Sequence, residues 1–149
     1  MLQLRARLEL LSSLLKTNQD LWDIGCDHGL LGEKFLAQSS IGKVYLLDKI
    51  PHLINRLGKI HINEARVSCI LHNAKQALTQ SLSGNVVLAG MGADTIIDIL
   101  DAQTILPGSQ LILNPFKDEQ RLQELPYELV NVHEVKEGRR LRKIFEYFT

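Results

Sequence analysis

Carboxylates and glycines stand together at the ends of apolar runs in this sequence. The run "LWDIGCDHGLL" (21–31) passes through Asp23 into Gly25, Cys26, Asp27, His28 and Gly29. "KVYLLD" (43–48) ends on Asp48, with Lys49 next. "NVVLAGMG" (85–92) closes on Ala89, Gly90, Met91 and Gly92. Glycine has no Cβ, so a ligand can approach the backbone closely and positive φ is accessible. A carboxylate can accept two hydroxyls or face an ammonium group. These residue types suit a ligand with a sugar at one end and a charge at the other.

The spacing separates two ligand classes. A pyrophosphate site uses G-x-G-x-x-G ahead of a helix. Cys26 and Asp27 fill that gap here. An acid followed by glycines suits S-adenosylmethionine, which ends in a zwitterionic amino acid. On that reading Asp23 orients the loop and receives the ammonium, directly or through water. Gly25, Cys26 and Gly29 shape the loop, and Asp48 with Lys49 takes the ribose side. Asp48 also reads as a helix cap before Pro51, and "AGMG" as a tight turn.

The elements that must position these residues follow from periodicity. Short apolar runs at 21–25, 43–48, 66–71, 85–92 and 110–114 read as strands. Helical spacing between them predicts helices near 29–38, from Pro51, over 74–80, over 94–100 and over 118–125. A leading helix within residues 1–16 carries Leu4, Leu8, Leu11 and Leu15 on one stripe. Residues 127–135 and 141–148 read as a hairpin about "KEGRR". Alternation predicts a parallel α/β sheet with right-handed crossovers and helices on both faces, plus an antiparallel end. Its ligand site belongs at the carboxyl ends of the strands.

Bulk properties agree with one domain over 1–149. The chain has 149 residues, 45% hydrophobic and 23% charged, with a formal net charge of zero. Global charge gives no drive toward nucleic acid, so such binding needs a local patch. Cys26 and Cys69 read as buried, reduced thiols of a cytoplasmic protein. No apolar run has the length of a membrane span, and no metal-ligand set stands out.

The pieces "LRARLELL", "DIGCDHGLL", "VYLLDKIPHL", "VVLAGMGADTII" and "LILNP", in this order over about residues 4 to 148, resemble the bacterial tRNA (adenine(22)-N1)-methyltransferases of the TrmK type. The resemblance implies a Rossmann-like class I methyltransferase fold, with a seven-stranded, mostly parallel sheet. It implies S-adenosylmethionine as cofactor and tRNA as partner. It makes Asp27 the carboxylate that stabilises charge developing on the adenine. His28 would orient Asp27 or touch the base. Met91 and Gly92 would line the acceptor pocket, and Asn114 and Pro115 would bracket the base.

Departures from the family pattern bear on the acceptor. His72, Asn73 and Ala74 stand where the family has Gly-Asp-Gly; Asn73 could still meet the cofactor's adenine through its amide oxygen. Asn114-Pro115-Phe116 replaces a Gln-Pro-Asn-like stretch, and Arg142-Lys143 a Tyr-Glu pair. The family's helical C-terminal extension is expected to be missing after Thr149. RNA would then be met through Lys136, Arg139, Arg140, Arg142 and Lys143, or through a homodimer or partner protein. A small-molecule or other RNA acceptor, or a non-catalytic cofactor-binding module acting with a partner, stays open at this point.

Overall fold

Strand β1 (Leu21–Ile24) is buried at all four residues, the mark of a strand covered on both faces. The computed structural model describes residues 2–149. Around β1 lie α1 (Leu2–Leu14), α2 (Leu30–Gln38), β2 (Val44–Asp48), α3 (Pro51–Ile60) and β3 (Val67–Leu71). The second half holds β4 (Asn85–Met91), α4 (Ala93–Ala102), β5 (Gln110–Pro115), β6 (Glu128–Glu137) and β7 (Arg140–Phe148). The seven strands form one sheet in the order β3-β2-β1-β4-β5-β7-β6. Strands β1 to β5 are parallel, and β7 pairs antiparallel with both β5 and β6. This is the Rossmann-like, mostly parallel sheet with an antiparallel end expected above.

Alternate residues of each strand feed two cores. On one face Leu11, Phe35, Ile54 and Leu57 of the first three helices meet Leu21, Leu46, Val87 and Ile112. On the other, Ile96, Ile99 and Leu100 of α4 meet Trp22, Val86, Leu88 and Leu113. Trp22 and Tyr45 stack there, ring centroids 4.0 Å apart and 8° from parallel. Of the predicted N-terminal stripe, Leu11 and Leu15 are buried. The side chain of Leu4 lies outside the described residues.

Three local expectations are corrected. Residues 74–80 form turns rather than a helix. The buried Gln103 side chain supplies that stretch with partners: its Nε2 donates to the carbonyls of Ala74 and Gln76, each at 2.7 Å, and its Oε1 accepts the Leu78 N–H at 3.0 Å. The stretch near 118–125 is a 3-10 helix over Glu119–Glu124, opened by Asp118 at φ 58°. Cys69 is half-buried, because β3 is the edge of the sheet, whereas Cys26 is buried.

Strand order reverses between β1 and β4, which are neighbours although far apart in sequence. The crevice at such a reversal, beyond the carboxyl ends of the strands, is where ligands bind in open α/β sheets. Among the described residues no helix is long and apolar enough to cross a membrane. Nor do any three His, Cys, Asp or Glu residues gather as a metal-holding group.

Candidate active site

The loop after β1 hangs from β2. The N–H groups of Gly25 and Cys26 both donate to the Leu47 carbonyl, at 2.8 and 3.0 Å. Asp27 takes a left-handed backbone, φ 53°, uncommon outside glycine. Its N–H donates to Asp48 Oδ2 at 3.0 Å, and the Ile50 N–H donates to Asp48 Oδ1 at 3.1 Å. Asp48 thus closes the first loop and ties down the Ile50 N–H ahead of Pro51, although Ile50 itself stands at the helix N-cap with no side-chain cap bond. A carboxylate offers about four acceptor positions, and two remain for a ligand.

Asp23 is buried at 6% exposure. Burial pushes its carboxyl up to about 7, with the charges of Asp48 and Asp27 adding to the rise. Burial likewise pushes the Cys26 thiol up, so Cys26 is no nucleophile at neutral pH. Asp27 and His28 are exposed at the lip, His28 Nε2 lying 3.4 Å from Asp27 Oδ1.

The end of β4 supplies the other wall. Its register with β5 shifts between Ala89 and Met91, and Gly90 there takes φ 75° with open space where a Cβ would project. The bulge turns Met91 toward the first loop, where a Cβ on Gly25 would stand 3.0 Å from Met91 Cε. Two cavities, of about 550 and 310 Å³, open over this floor and share Gly25, Asp27, Ala89 and Gly90. The larger reaches Asp48, Lys49, Asn73, Ala74, Met91 and Gly92. The smaller reaches Asp23, Cys26 and His28.

A family model described as a methyltransferase domain matches residues 4–145. The chain belongs to the methyltransferase domain family. No curated protein sequence matches it. The methyltransferase domain resembles solved structures at low identity. Against M. capricolum TrmK in complex with S-adenosyl-homocysteine the TM-score is 0.76 at 22% identity, covering 95% of this chain and 67% of that one. Against the B. subtilis M1A22 tRNA methyltransferase TrmK it is 0.78 at 19%, covering 95% and 64%. Against the N-methyltransferase NodS of Bradyrhizobium japonicum it is 0.70 at 16%, covering 95% and 92%. This chain therefore spans about two-thirds of the length of the two TrmK proteins.

The site of this methyltransferase domain fits S-adenosylmethionine, the methyl donor of the enzyme class. The backbone is bare over Gly90, and the carboxylates of Asp23, Asp27 and Asp48 surround a common floor. That donor set suits a ligand carrying ammonium and sulfonium charges. It would repel a pyrophosphate.

The structure gathers most of the expected residues around the two cavities and leaves others outside them. The Asn73 amide oxygen, offered above to an adenine, accepts the Lys75 N–H at 3.1 Å, so a ligand would have to share it. Asn114 and Pro115 are buried and line neither cavity. Asn114 is instead spent on protein groups: Nδ2 donates to the Lys143 carbonyl at 2.9 Å, and Oδ1 accepts from Arg7 Nη1 at 3.2 Å. Phe116, the next residue, does line the larger cavity. Arg7 was missed as a site residue. It reaches the smaller cavity from α1 and pairs with Glu137 at 3.4 Å, a contact visible only once α1 lies against β6.

The hairpin cations divide in the same way. Arg142 donates to the Phe116 carbonyl at 3.1 Å, and Lys143 pairs with Glu119 at 3.2 Å. Those two of the five cations expected to meet RNA already have partners within the fold. Lys136, Arg139 and Arg140 are exposed near the turn.

Proposed function

We propose that this S-adenosylmethionine-dependent methyltransferase acts on RNA, methylating N1 of an adenine in tRNA. The observation that carries the reading is the Asp27 carboxylate, exposed on the floor shared by the two cavities. Two supports stand beside it. The relatives of similar fold include tRNA m1A22 methyltransferases. The exposed cations Lys136, Arg139 and Arg140 rise at the same sheet edge, because β7 runs antiparallel beside β5. They suit phosphate contacts, each of which adds to salt-dependent affinity.

The proposed division of labour follows strand order. Asn73 and Ala74 flank the cofactor's adenine, and Asp48 with Lys49 takes its ribose. Gly25, Cys26, Ala89 and Gly90 cradle it by backbone, whereas Gly29, expected to join them, is buried against Leu57 and lines neither cavity. Asp23 faces the ammonium end, and Arg7 suits the carboxylate. Met91 and Gly92 border the acceptor. When bound, the cofactor supplies a methyl group on a sulfonium that is already activated for displacement. The chain's own work is alignment and exclusion of water. Adenine N1 has a free lone pair and needs no base. The product ring is a cation, so the Asp27 carboxylate stabilises charge as it develops. His28, 3.4 Å from Asp27, holds that carboxylate at the lip. A base within folded RNA must first leave its stack.

Methyl transfer from labelled S-adenosylmethionine to total tRNA tests the reading, with the tRNA taken from a strain lacking this gene. Label in 1-methyladenine is the expected product. Label in another nucleoside, or none with the cofactor bound, overturns it. A small-molecule acceptor is the second reading. The commitment of Arg142 and Lys143 within the fold favours it.

A further inference from the structure

We infer that Phe116 is the stacking platform on which the acceptor ring lies during transfer. The proposal rests on the reading above and names the acceptor as a planar, π-rich base. Among the described residues lining the two cavities, Phe116 carries the one phenyl, phenol or indole ring. Phe116 is 46% exposed. A freely wagging surface phenylalanine would mean little, since single exposed apolar side chains are common. The backbone here is pinned. The Phe116 N–H donates to the Met91 carbonyl at 3.1 Å, and the Phe116 carbonyl accepts from Arg142 Nη1 at 3.1 Å. The next carbonyl, of Lys117, accepts the Ala93 N–H at 3.1 Å. A Cβ on Gly92 would stand 3.0 Å from Lys117 Cε, so the lysine stem lies against that glycine. Lys117 Nζ lies 5.9 Å from the Phe116 ring centroid. The segment is fastened to β4, α4 and β7 while its ring faces the cleft.

Position decides what the ring serves. The order β3-β2-β1-β4-β5 spaces the strand ends along one edge, roughly 4.8 Å apart. Asn73 and Ala74 follow β3, and Asp48 ends β2, so the nucleoside half of the cofactor belongs at that end. Phe116 follows β5, three strands beyond Asp48, roughly 14 Å away along the edge. It stands one strand beyond Gly90 and Met91, on the side away from the nucleoside subsite. That is the acceptor side. An aromatic face also attracts the positive charge that the base gains as the methyl group arrives. Stacking on protein aromatics is how unpaired bases are held, and it tolerates any base with a π-face.

The test uses the whole chain and the variants Phe116→Ala, Phe116→Leu and Phe116→Trp. Cofactor affinity is read by equilibrium dialysis of labelled S-adenosylmethionine. Acceptor affinity is read by fluorescence polarisation of a short adenine-containing RNA on protein saturated with S-adenosyl-homocysteine, and kcat/KM with tRNA. Phe116→Ala and Phe116→Leu should each lower acceptor affinity and kcat/KM by about tenfold to a hundredfold. Phe116→Trp should restore both, and cofactor affinity should stay within about twofold throughout. A leucine variant as good as the tryptophan variant overturns the platform while leaving the tRNA reading intact. So does a loss that falls on cofactor affinity. RNA binding that depends on the ring, without transfer to tRNA, overturns the tRNA reading and leaves the platform standing. Failure of the wild-type chain to bind the RNA overturns the platform.

Discussion

The backbone N–H of Asp27 donates to Oδ2 of Asp48 at 3.0 Å, across the gap between the ends of β1 and β2. Two carboxylates twenty-one positions apart are thereby coupled through one main-chain group. Asp48 holds the loop, and the loop holds the Asp27 side chain over the shared floor. The other Asp48 oxygen accepts from the Ile50 N–H, so both carboxylate oxygens are engaged by the main chain. An oxygen at both positions is what the arrangement requires.

That requirement predicts that Asp48→Asn will be nearly as damaging as Asp48→Ala. An amide must turn its NH2 toward the N–H of Asp27 or of Ile50, setting donor against donor. Cofactor affinity should fall at least tenfold in both variants, measured by calorimetry with S-adenosyl-homocysteine. Retention of affinity within twofold in Asp48→Asn would refute the clamp.

Asp27 allows its charge and its backbone to be separated. Asparagine tolerates the left-handed conformation far better than alanine. Asp27→Asn should keep cofactor affinity near that of the wild type and lower kcat by about a hundredfold, the scale for losing one group that stabilises the transition state. Asp27→Ala should lose the same catalysis and some cofactor affinity as well. Unchanged kcat in both would remove Asp27 from the chemistry.

Asp23 makes the stability of the ligand-free protein depend on pH. Its folded value near 7 lies above the ordinary carboxyl value, so the folded state holds this proton more tightly than the unfolded chain. The contribution is fully present below the unfolded value and is lost as pH rises through about 7. It amounts to at most about 4 kcal/mol. Ligand-free protein should therefore lose stability from pH 5 to 8 more steeply than Asp23→Asn. A cationic cofactor favours the ionised form, so its binding at pH 6 should release a proton and tighten toward pH 8. Denaturant melts and calorimetry in buffers of different ionisation enthalpy check both signs; identical pH slopes in the two proteins would sink the account.

Gln103 is a positioning residue for the Asn73–Ala74 corner. Gln103→Leu leaves two carbonyls and one N–H without their partner, each costing about 1–3 kcal/mol where water cannot replace it. S-adenosylmethionine KM should rise about tenfold with kcat at saturation unchanged. Affinity for 5′-methylthioadenosine, which has only the nucleoside half, should fall by the same factor. A drop in melting temperature without that split would assign Gln103 to stability alone.

The same glutamine shows where sequence reading stops. The strands were legible because each is a short apolar run bounded by polar residues. The site loops were legible because glycines and acids stand at those boundaries. Residues 74–80 carry helical spacing, but nothing local reveals that a side chain twenty-five residues downstream will take their hydrogen bonds. Arg7 and Asn114 escaped for a related reason. Their pairing joins α1 to β5 over 107 positions, and no periodicity encodes it. Phe116 was visible as a departure from the family pattern, yet its role needs the strand order.

The stacked pair beneath the site has a practical consequence. Trp22 is the chain's one tryptophan, 1% exposed, and lies flat against Tyr45. It precedes Asp23 in β1, and Tyr45 sits opposite it in β2. The protein therefore carries a built-in optical probe at the strand pair from which the cofactor loop springs. Emission from that indole starts from a buried setting and shifts when β1 parts from β2 or α4 lifts from the sheet. An unfolding curve read this way follows the integrity of the central strands beneath the candidate site, rather than fraying at the hairpin or the first helix.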